Sequence, residues 1–303
     1  MPVEALTEKV RSLARAKGAL ILAHNYQLGE VQDVADYVGD SLELARRAAD
    51  VRADLMVFCG VRFMAETAKI LNPDAMVLEP DPNAGCPMAN MLNDRQLRQL
   101  KAAHPDALVV TYVNSSAEVK AESDICCTSG NALKVVAAQP RDREIIFVPD
   151  KSLGTFVASK LSRQLIFWDG YCPTHHRITA ELIIQARRDH PAAKVVVHPE
   201  CTPDVTALAD EVASTSGILR YVSNTPYGEY IIGTEIGLLH RLTKMNPGKT
   251  FYAVTRFADC PNMKLNTLEK ILWSLEDMQY EVDVPDAVAA GARASLQRML
   301  EFV

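Results

Sequence analysis

Apolar, β-branched runs of four to seven residues alternate along this chain with helical segments of about ten to fifteen residues. Continuous apolar runs are typical of strands buried on both faces, as in parallel sheets covered by helices. The runs predict strands at 19–24, 54–59, 107–113, 144–149, 164–168, 194–198, 230–233 and 250–254. The alternation therefore predicts an α/β fold of layered helices and sheets.

Three series of residues recur along the chain with a period of about 87 positions. The spacings are 88 and 86 residues in two of the series, and 86 and 88 residues in the third. The members are His24, Tyr112 and His198 at predicted strand ends; Ser41, Ser129 and Thr215 before helical segments; and Cys86, Cys172 and Cys260, each followed by a proline. A repeat of this length forms a domain rather than a solenoid unit. We therefore predict three similar three-layer αβα domains with parallel sheets, which arise from internal triplication and are related by a pseudo-threefold axis.

The period divides the chain into domains at residues 1–88, 89–174 and 175–263. Each copy is expected to run strand, helix, strand, helix, strand and then a Cys-Pro turn. The stretch 264–303 lies outside the repeats, and its two amphipathic segments predict helices that pack on the core. A (β/α)8 barrel also suits the length, but a barrel repeats every ~30 residues and gives no reason for the longer period.

The composition excludes several classes of function. Hydrophobic residues make up 48% and charged residues 23% of the chain, which is typical of a globular protein. A net charge of −6 gives no sign of a basic nucleic-acid surface. No apolar run reaches the ~18 residues needed to span a bilayer. Residues 1–18 predict an amphipathic surface helix rather than a signal peptide, so we expect a cytoplasmic protein without membrane contact.

Cys86, Cys172 and Cys260 would converge on the pseudo-threefold axis and form a soft-ligand site for zinc, copper(I) or an iron–sulfur cluster. Structural zinc usually takes ligands from close pairs such as C-x-x-C, which these cysteines lack. Single ligands from three domains favour a cubane cluster with one iron left open, which would act as a Lewis acid. The alternative is that the thiols are buried relics of the repeat. His175 follows Cys172 at metal-pair spacing, but the other copies lack it, so we expect it to support a ligand.

Unusual polar residues follow the predicted strands, where ligands bind in parallel α/β sheets. They are His24, Asn25 and Tyr26 in the first copy, Tyr112 and Asn114 in the second, and His198 and Glu200 in the third. Glu200 is a candidate general base whose pKa burial would raise toward neutrality. Ser41, Ser129 and Thr215 are expected to cap helices, and three such helix N-termini would bind a small molecule with carboxylate or phosphate groups.

Twelve motifs resemble the quinolinate synthase family. They are ILAHNYQ (21–27), ADYVGDSLELA (35–45), FCGVRFMAETAKIL (58–71), GCPMA (85–89), TYVNSSAEVKAESD (111–124), CCTSGNA (126–132), FVPDKSLG (147–154), GYCPTHHR (170–177), VHPEC (197–201), STSG (214–217), GTEIGLLHRL (233–242) and CPNMKLNTLEKIL (260–272). The resemblance covers roughly residues 19–277, and the family's threefold arrangement of αβα domains agrees with the period.

This resemblance implies a transferase of NAD biosynthesis that condenses iminoaspartate with dihydroxyacetone phosphate to quinolinate, phosphate and water. It implies an oxygen-sensitive [4Fe-4S] cluster on Cys86, Cys172 and Cys260, with one open iron site. The implied ligands of the iminoaspartate-derived part are His24, Ser41, Tyr112, Asn114, Ser129, His198, Glu200 and Thr215. Glu200 and Tyr26 would be the acid–base groups, and His198 would orient or protonate an intermediate. A functional link to an imine-producing aspartate oxidase or dehydrogenase is also expected.

One position departs from the family pattern. Some members carry C-x-x-C at the third ligand, whereas here Met263 occupies the position of the second cysteine, which puts a thiol switch at that place in doubt. The vicinal pair Cys126-Cys127 is interpreted as structural. Two competing functions are an electron carrier, which does not need the polar pocket, and a zinc clip that only locks the domains together. A brown anaerobic protein would exclude the zinc clip.

Overall fold

The computed structural model describes residues 2–51 and 53–302. Its strands are β1 Ala19–His24, β2 Tyr37–Gly39, β3 Leu55–Cys59, β4 Met76–Leu78, β5 Leu108–Tyr112, β6 Ile125–Cys127, β7 Ile145–Val148, β8 Ile166–Phe167, β9 Lys194–Val197, β10 Glu211–Val212, β11 Glu229–Gly233 and β12 Thr250–Ala253. Every predicted strand is present. Four short ones, β2, β4, β6 and β10, were not predicted, so each copy has four strands rather than three.

The helices alternate with these strands. They are α1 Val3–Lys17, α2 Gly29–Val34, α3 Ser41–Asp50, α4 Arg62–Leu71, α5 Asp94–Ala103, α6 Ala117–Ala121, α7 Ala132–Ala137, α8 Lys151–Leu161, α9 Ala180–Asp189, α10 Pro203–Thr206, α11 Thr215–Asn224, α12 Leu238–Met245, α13 Leu268–Asp277 and α14 Asp286–Leu300. None of the described helices has both the length and the apolar character that crossing a membrane requires.

The strands form three separate parallel sheets with the same topology. Their orders are β2-β1-β3-β4, β6-β5-β7-β8 and β10-β9-β11-β12. The register also repeats, since His24 pairs with Gly39 in the first sheet and Tyr112 pairs with Cys127 in the second. Helices flank each sheet, so the predicted α/β class and three αβα domains are confirmed. The exact boundaries near residues 88, 174 and 263 stay a prediction.

Each sheet is buried on both faces, as its continuous apolar strands predict. Alternate residues of one strand point to opposite sides. In β1, Leu22 belongs to a core that all three sheets share, whereas Ile21 packs in a separate core beneath α1 and α13. Strands β5 and β9 divide their residues in the same way. The shared core holds the three sheets around one centre.

The helix after each Cys-Pro turn covers the outer face of the next sheet. Helices α5, α9 and α13 begin at the capping residues Asn93, Thr179 and Thr267, which are 86 and 88 residues apart. Helix α5 packs on the second sheet, α9 on the third and α13 on the first. Helix α13 therefore has the same relation to its sheet as α5 and α9 have to theirs. Helix α14 lies against α4, α6 and β6.

Candidate active site

One cavity opens where the carboxyl ends of the three sheets meet, and its empty space, counted together with the open solvent at its mouth, is about 650 Å³. All twelve predicted site residues line it. They are His24, Tyr26, Ser41, Cys86, Tyr112, Asn114, Ser129, Cys172, His198, Glu200, Thr215 and Cys260. Residues separated by up to 236 positions are thus brought together, because equivalent strand ends and turns of the repeat converge. Their chemical roles stay predictions.

Glu200 lies at the centre of a buried hydrogen-bond network. Its Oε1 accepts a hydrogen bond of 2.5 Å from the Tyr112 hydroxyl, and its Oε2 lies 2.7 Å from Nδ1 of His175. Burial alone would raise the pKa of Glu200, but the neighbouring His175 and the hydrogen bonds from His175 and Tyr112 hold it below its ordinary value. The expectation of a raised pKa for Glu200 is therefore wrong, because hydrogen-bonding partners buried beside the carboxylate stabilise its ionised form. Glu200 is ionised at neutral pH.

The two tyrosines face the cavity as neutral hydroxyl groups. Burial and the charge of Glu200 raise the pKa of both Tyr26 and Tyr112 well above the ordinary value. The Tyr26 hydroxyl lies 2.6 Å from Oγ1 of Thr234, which in turn lies 2.9 Å from Nε2 of His175. A continuous hydrogen-bonded chain therefore runs from Tyr26 through Thr234 and His175 to Glu200.

His24 and His198 are neutral imidazoles whose tautomers are set by the backbone. Nδ1 of His24 accepts from the Tyr26 amide at 3.2 Å, and Nδ1 of His198 accepts from the Glu200 amide at 3.3 Å. The proton of each neutral ring must then sit on Nε2. The Nε2–H of His198 donates to the Ser129 hydroxyl, 3.1 Å away. Both rings can therefore act as uncharged donors toward a ligand.

This burial predicts loss of stability in mild acid. Burial lowers the pKa of both His24 and His198 from 6.5 to about 3. The unfolded chain then binds more protons than the folded chain between pH 6.5 and pH 3, so stability rises with pH across that window and falls on acidification. Each histidine should cost about 1.4 kcal/mol of unfolding free energy per pH unit below pH 6.

Urea unfolding of cluster-free protein at pH 6 and pH 5 measures this slope, in a range where ordinary carboxylates are still ionised. His24→Asn should reduce the slope by about one histidine's share, roughly 1.4 kcal/mol per pH unit. An unchanged slope in this variant would contradict the neutral state of His24.

The predicted helix caps are displaced by one or two residues. The residues at the N-cap positions are Asp40, Asn131 and Ser214 rather than Ser41, Ser129 and Thr215. The Asp40 carboxylate accepts from the Leu42 and Glu43 amides in a capping box. The hydroxyls of Ser41, Ser129 and Thr215 are therefore not used as caps and can make other contacts. Oγ1 of Thr215, for example, accepts from Nδ2 of Asn25 at 2.8 Å.

Three of the seven cysteines line the cavity, and they are the three that precede proline. Each Cys-Pro turn continues into a 3₁₀ turn, at Ala89–Met91, His175–Arg177 and Met263–Leu265. Backbone amides of these turns donate to the thiol sulfurs. Burial raises the thiol pKa values, to about 12 for Cys86, while the amides lower them. Amide hydrogen bonds to sulfur are typical of iron–sulfur ligands, so the donor set fits such a cluster.

The geometry does not suit one zinc ion on the three thiols. Tetrahedral zinc would hold its sulfurs about 3.8 Å apart, given a bond length of about 2.3 Å. Across residues 2–51 and 53–302, the one group whose ligand atoms all lie within 4.8 Å of one another is Cys172, His175 and Glu200. That group could hold a metal ion. Wider spacing of the three thiols favours a larger metal cluster over the zinc clip.

Further residues line the cavity wall, and for these the sequence predicts only that the motif VRFMAET at 61–67 shapes the wall, without a specific contact. Thr174, Glu235 and the apolar side chains of Val61, Phe63 and Met64 also line the wall. The last three belong to the motif VRFMAET, whose arginine points away to Glu66 and Glu79. Glu235 has a signal in the sequence, because it follows the second long strand of its copy as Asp150 does in the preceding copy.

Three αβα domains around a cavity of thiols, imidazoles and an ionised carboxylate are typical of an α/β enzyme whose centre could hold a metal. The chain matches the family model described as quinolinate synthetase A protein over residues 8–301. It is 55% identical over 300 residues to a quinolinate synthase of Dehalococcoides mccartyi, with 99% of both chains covered. It is 52% identical over 295 residues to quinolinate synthase 1 of Methanosarcina acetivorans, with 97% of both covered. The chain therefore belongs to the quinolinate synthetase A family.

Proposed function

We propose that this chain is a quinolinate synthase, a transferase of de novo NAD biosynthesis that condenses iminoaspartate with dihydroxyacetone phosphate to give quinolinate, phosphate and water. The observation that carries the proposal is the convergence of three repeat-related thiols and an ionised, buried Glu200 in one cavity. An electron carrier would not need this acid–base network. Membership of the family supports the same reaction.

The proposed cofactor is a [4Fe-4S] cluster on Cys86, Cys172 and Cys260, which leaves one iron without a protein ligand. When bound, such a cluster supplies a Lewis acid that polarises a substrate oxygen. The position of the thiols beside Glu200 supports this role, because Cys172 and Glu200 lie within 4.8 Å of His175 and of each other. A polarised oxygen and a proton acceptor would then act on the same part of the substrate.

Proton transfer is assigned to Glu200, Tyr112 and Tyr26. Ionised Glu200 accepts a proton from a substrate carbon or nitrogen, while the Tyr112 hydroxyl holds the carboxylate in place. Neutral Tyr26 donates a proton to a leaving oxygen. The path through Thr234 and His175 connects Tyr26 to Glu200, so a proton taken up at one end can be returned at the other. General acid–base groups of this kind contribute about 10²–10⁴ in rate.

Anionic substrates would be bound without cationic side chains. No lysine or arginine is among the described residues that line the cavity. Together with Glu200, the proposed ligands are neutral groups: the amide of Asn114, the rings of His24 and His198, and the hydroxyls of Ser41, Tyr112, Ser129 and Thr215. Ser41 and Thr215 begin α3 and α11, where the helix dipole favours negative charge. Neutral donors can exchange one carboxylate or phosphate for another as the reaction proceeds.

The imine substrate is chemically unstable in water, so we propose that an aspartate oxidase or dehydrogenase supplies it in the same compartment, the cytoplasm. The chain itself would need no nucleic-acid or membrane partner.

Anaerobic turnover tests the proposed function. Iron- and sulfide-reconstituted protein is mixed with freshly generated iminoaspartate and dihydroxyacetone phosphate, and quinolinate is followed by chromatography. Product that requires both substrates and the cluster supports the proposal. No product from protein with an intact four-iron cluster would reject it and favour electron transfer or a different Lewis-acid reaction.

A further inference from the structure

Two charged side chains outside the proposed acid–base set meet beside the third ligand turn. Glu235 is fully buried, and its Oε1 lies 2.9 Å from Nζ of Lys264. Lys264 belongs to the 3₁₀ turn that follows Cys260, and its side chain is 20% exposed. Ion pairs in such a position are costly to break, because removal of one partner leaves the other charged in a dry environment.

The Glu235 carboxylate fixes the backbone of the Cys260 turn. Its Oε1 accepts a hydrogen bond of 3.0 Å from the Cys260 amide, and its Oε2 accepts one of 2.7 Å from the Gly237 amide. With Lys264, the two carboxylate oxygens bind three donors from two segments of the chain. The orientation of the Cys260 turn toward the cavity therefore depends on this carboxylate.

Lys264 also connects this junction, formed by Glu235, Lys264 and the Cys260 turn, to the loop that follows the first strand. Its Nζ also donates to the carbonyl oxygen of Tyr26, while the Tyr26 hydroxyl is held by Thr234. Tyr26 is thus bound at both ends by residues from the far side of the cavity. The junction has no spare room, since a Cβ added at Gly237 would lie 2.8 Å from Glu235 Oε2, from Lys264 Nζ and from the Tyr26 carbonyl.

The other two ligand turns are not held in this way. All three copies have an equivalent backbone hydrogen bond at the base of the turn. The amides of Arg62, Lys151 and Ile236 donate to the carbonyls of Ala84, Gly170 and Ala258, respectively. The preceding side chain differs. It is apolar Val61 in the first copy, and in the second it is Asp150, which accepts from Leu153 to cap its own helix. The second turn is tied to Glu200 through His175, and among the described residues only the third copy has a buried carboxylate that accepts from the amide of the ligand cysteine itself.

We propose that Glu235 and Lys264 are positioning residues that hold the Tyr26 loop and the Cys260 turn at a fixed separation across the cavity. The catalytic part of this inference rests on the proposed function, since it assumes that Tyr26 transfers a proton near a cluster bound by Cys260. Loosening the pair would displace Tyr26 from the reacting atoms and would let the Cys260 turn move. A displacement of about 1 Å costs up to 10²-fold in rate.

Lys264→Met and Glu235→Gln test the pair, with Lys270→Met as the matched control. Lys270 is another half-buried lysine of the C-terminal segment that pairs with a buried carboxylate, Asp81, and it does not line the cavity. Reconstituted proteins are compared anaerobically for iron content, kcat and KM. They are then exposed to air, and the rate at which the visible absorbance bleaches is recorded.

Both test variants should bind as much iron as the wild-type protein. Their kcat should fall about tenfold or more at nearly unchanged KM, and their clusters should bleach several times faster. Lys264→Arg, which keeps the charge, should recover part of kcat. The double variant should be no worse than the poorer single variant, because the two side chains act as a unit. Lys270→Met should lower thermal stability and leave both readouts at wild-type values.

The proposal is overturned if Lys264→Met and Glu235→Gln match Lys270→Met in kcat and in bleaching rate. It is equally overturned if the double variant loses the product of the two single losses. Should Lys264→Met fail to fold, Lys264→Arg against Lys270→Arg decides the question on the same readouts. The two proposals can fail separately. If the wild-type protein makes no quinolinate, the proposed function is rejected. The bleaching rates need no substrate, so they still test whether Glu235 and Lys264 position the Cys260 turn.

Discussion

Alanine in place of Cys86, Cys172 or Cys260 will abolish cluster assembly, whereas alanine in place of Cys59 or Cys201 will not. The first three thiols line the cavity, each at the tip of a turn whose amides donate to the sulfur. A cluster with one open iron already lacks a fourth protein ligand, so it cannot lose another and remain bound.

The two control substitutions, at Cys59 and Cys201, measure how much stability is lost when a buried thiol outside the cavity is removed. Cys59 packs in the outer core of the first sheet and Cys201 in the outer core of the third, and both are fully buried. Their removal should lower stability by about 1 kcal/mol, because a small cavity is left, without changing the metal content.

Iron and acid-labile sulfide per chain, with the visible spectrum of anaerobic protein, give the result directly. The expected values are close to four irons per chain for wild-type and control proteins and near zero for the three ligand variants. Equal iron loss across all five variants would contradict the ligand assignment. Zinc in place of iron in the wild-type protein would favour the zinc clip that only locks the domains together.

The central site could be predicted because it is built from copies of one unit. Cys86, Cys172 and Cys260 share a period and a following proline, so convergence on one axis follows from the repeat alone. The four unpredicted strands show the limit of that approach. Glu211–Val212 is two residues long, and Tyr37–Gly39 is three, so neither is long enough to display a period.

Features that depend on a partner elsewhere in the chain could not be predicted. Glu200 was correctly expected to be buried, yet the direction of its pKa shift is set by His175, which lies 25 residues earlier in the sequence. The cap of α11 raised a different difficulty, since Ser214 and Thr215 are both good capping residues and only the backbone angles choose between them. The sequence therefore identifies which residues can cap a helix or transfer a proton, and tertiary contacts decide which of them do so.

The C-terminal stretch 264–303 illustrates the same point. Its amphipathic pattern predicts two helices, and the structure has α13 and α14 there, with apolar side chains in the cores. The relation of α13 to the repeat could not be predicted, because the signal is a single capping residue at each of Asn93, Thr179 and Thr267. A polar residue before a helix is too common to establish a period by itself.

Glu200→Gln will lower kcat by about 10²–10⁴ while the cluster stays bound, which is the range expected for loss of a general base. Glutamine keeps the size of the side chain and can still accept from Tyr112 and contact His175, so the network should remain in place. What is lost is the negative charge that accepts a proton. KM should change much less than kcat, because Glu200 is only one of the proposed substrate ligands and the hydroxyls and imidazoles are untouched.

Glu79→Gln is the matched control for this substitution. Glu79 is also a buried, ion-paired glutamate, but its partner is Arg62 and it lies outside the cavity. The control should lose stability, since Arg62 is left without its strongest partner, and should keep its kcat. Anaerobic steady-state kinetics at equal cluster content separates the two effects. A kcat for Glu200→Gln within threefold of the control would remove Glu200 from the chemistry and leave it a support for Tyr112 and His175. A large loss confined to Glu200→Gln would mean that its charge, and not the burial of a carboxylate as such, carries the proton-transfer step.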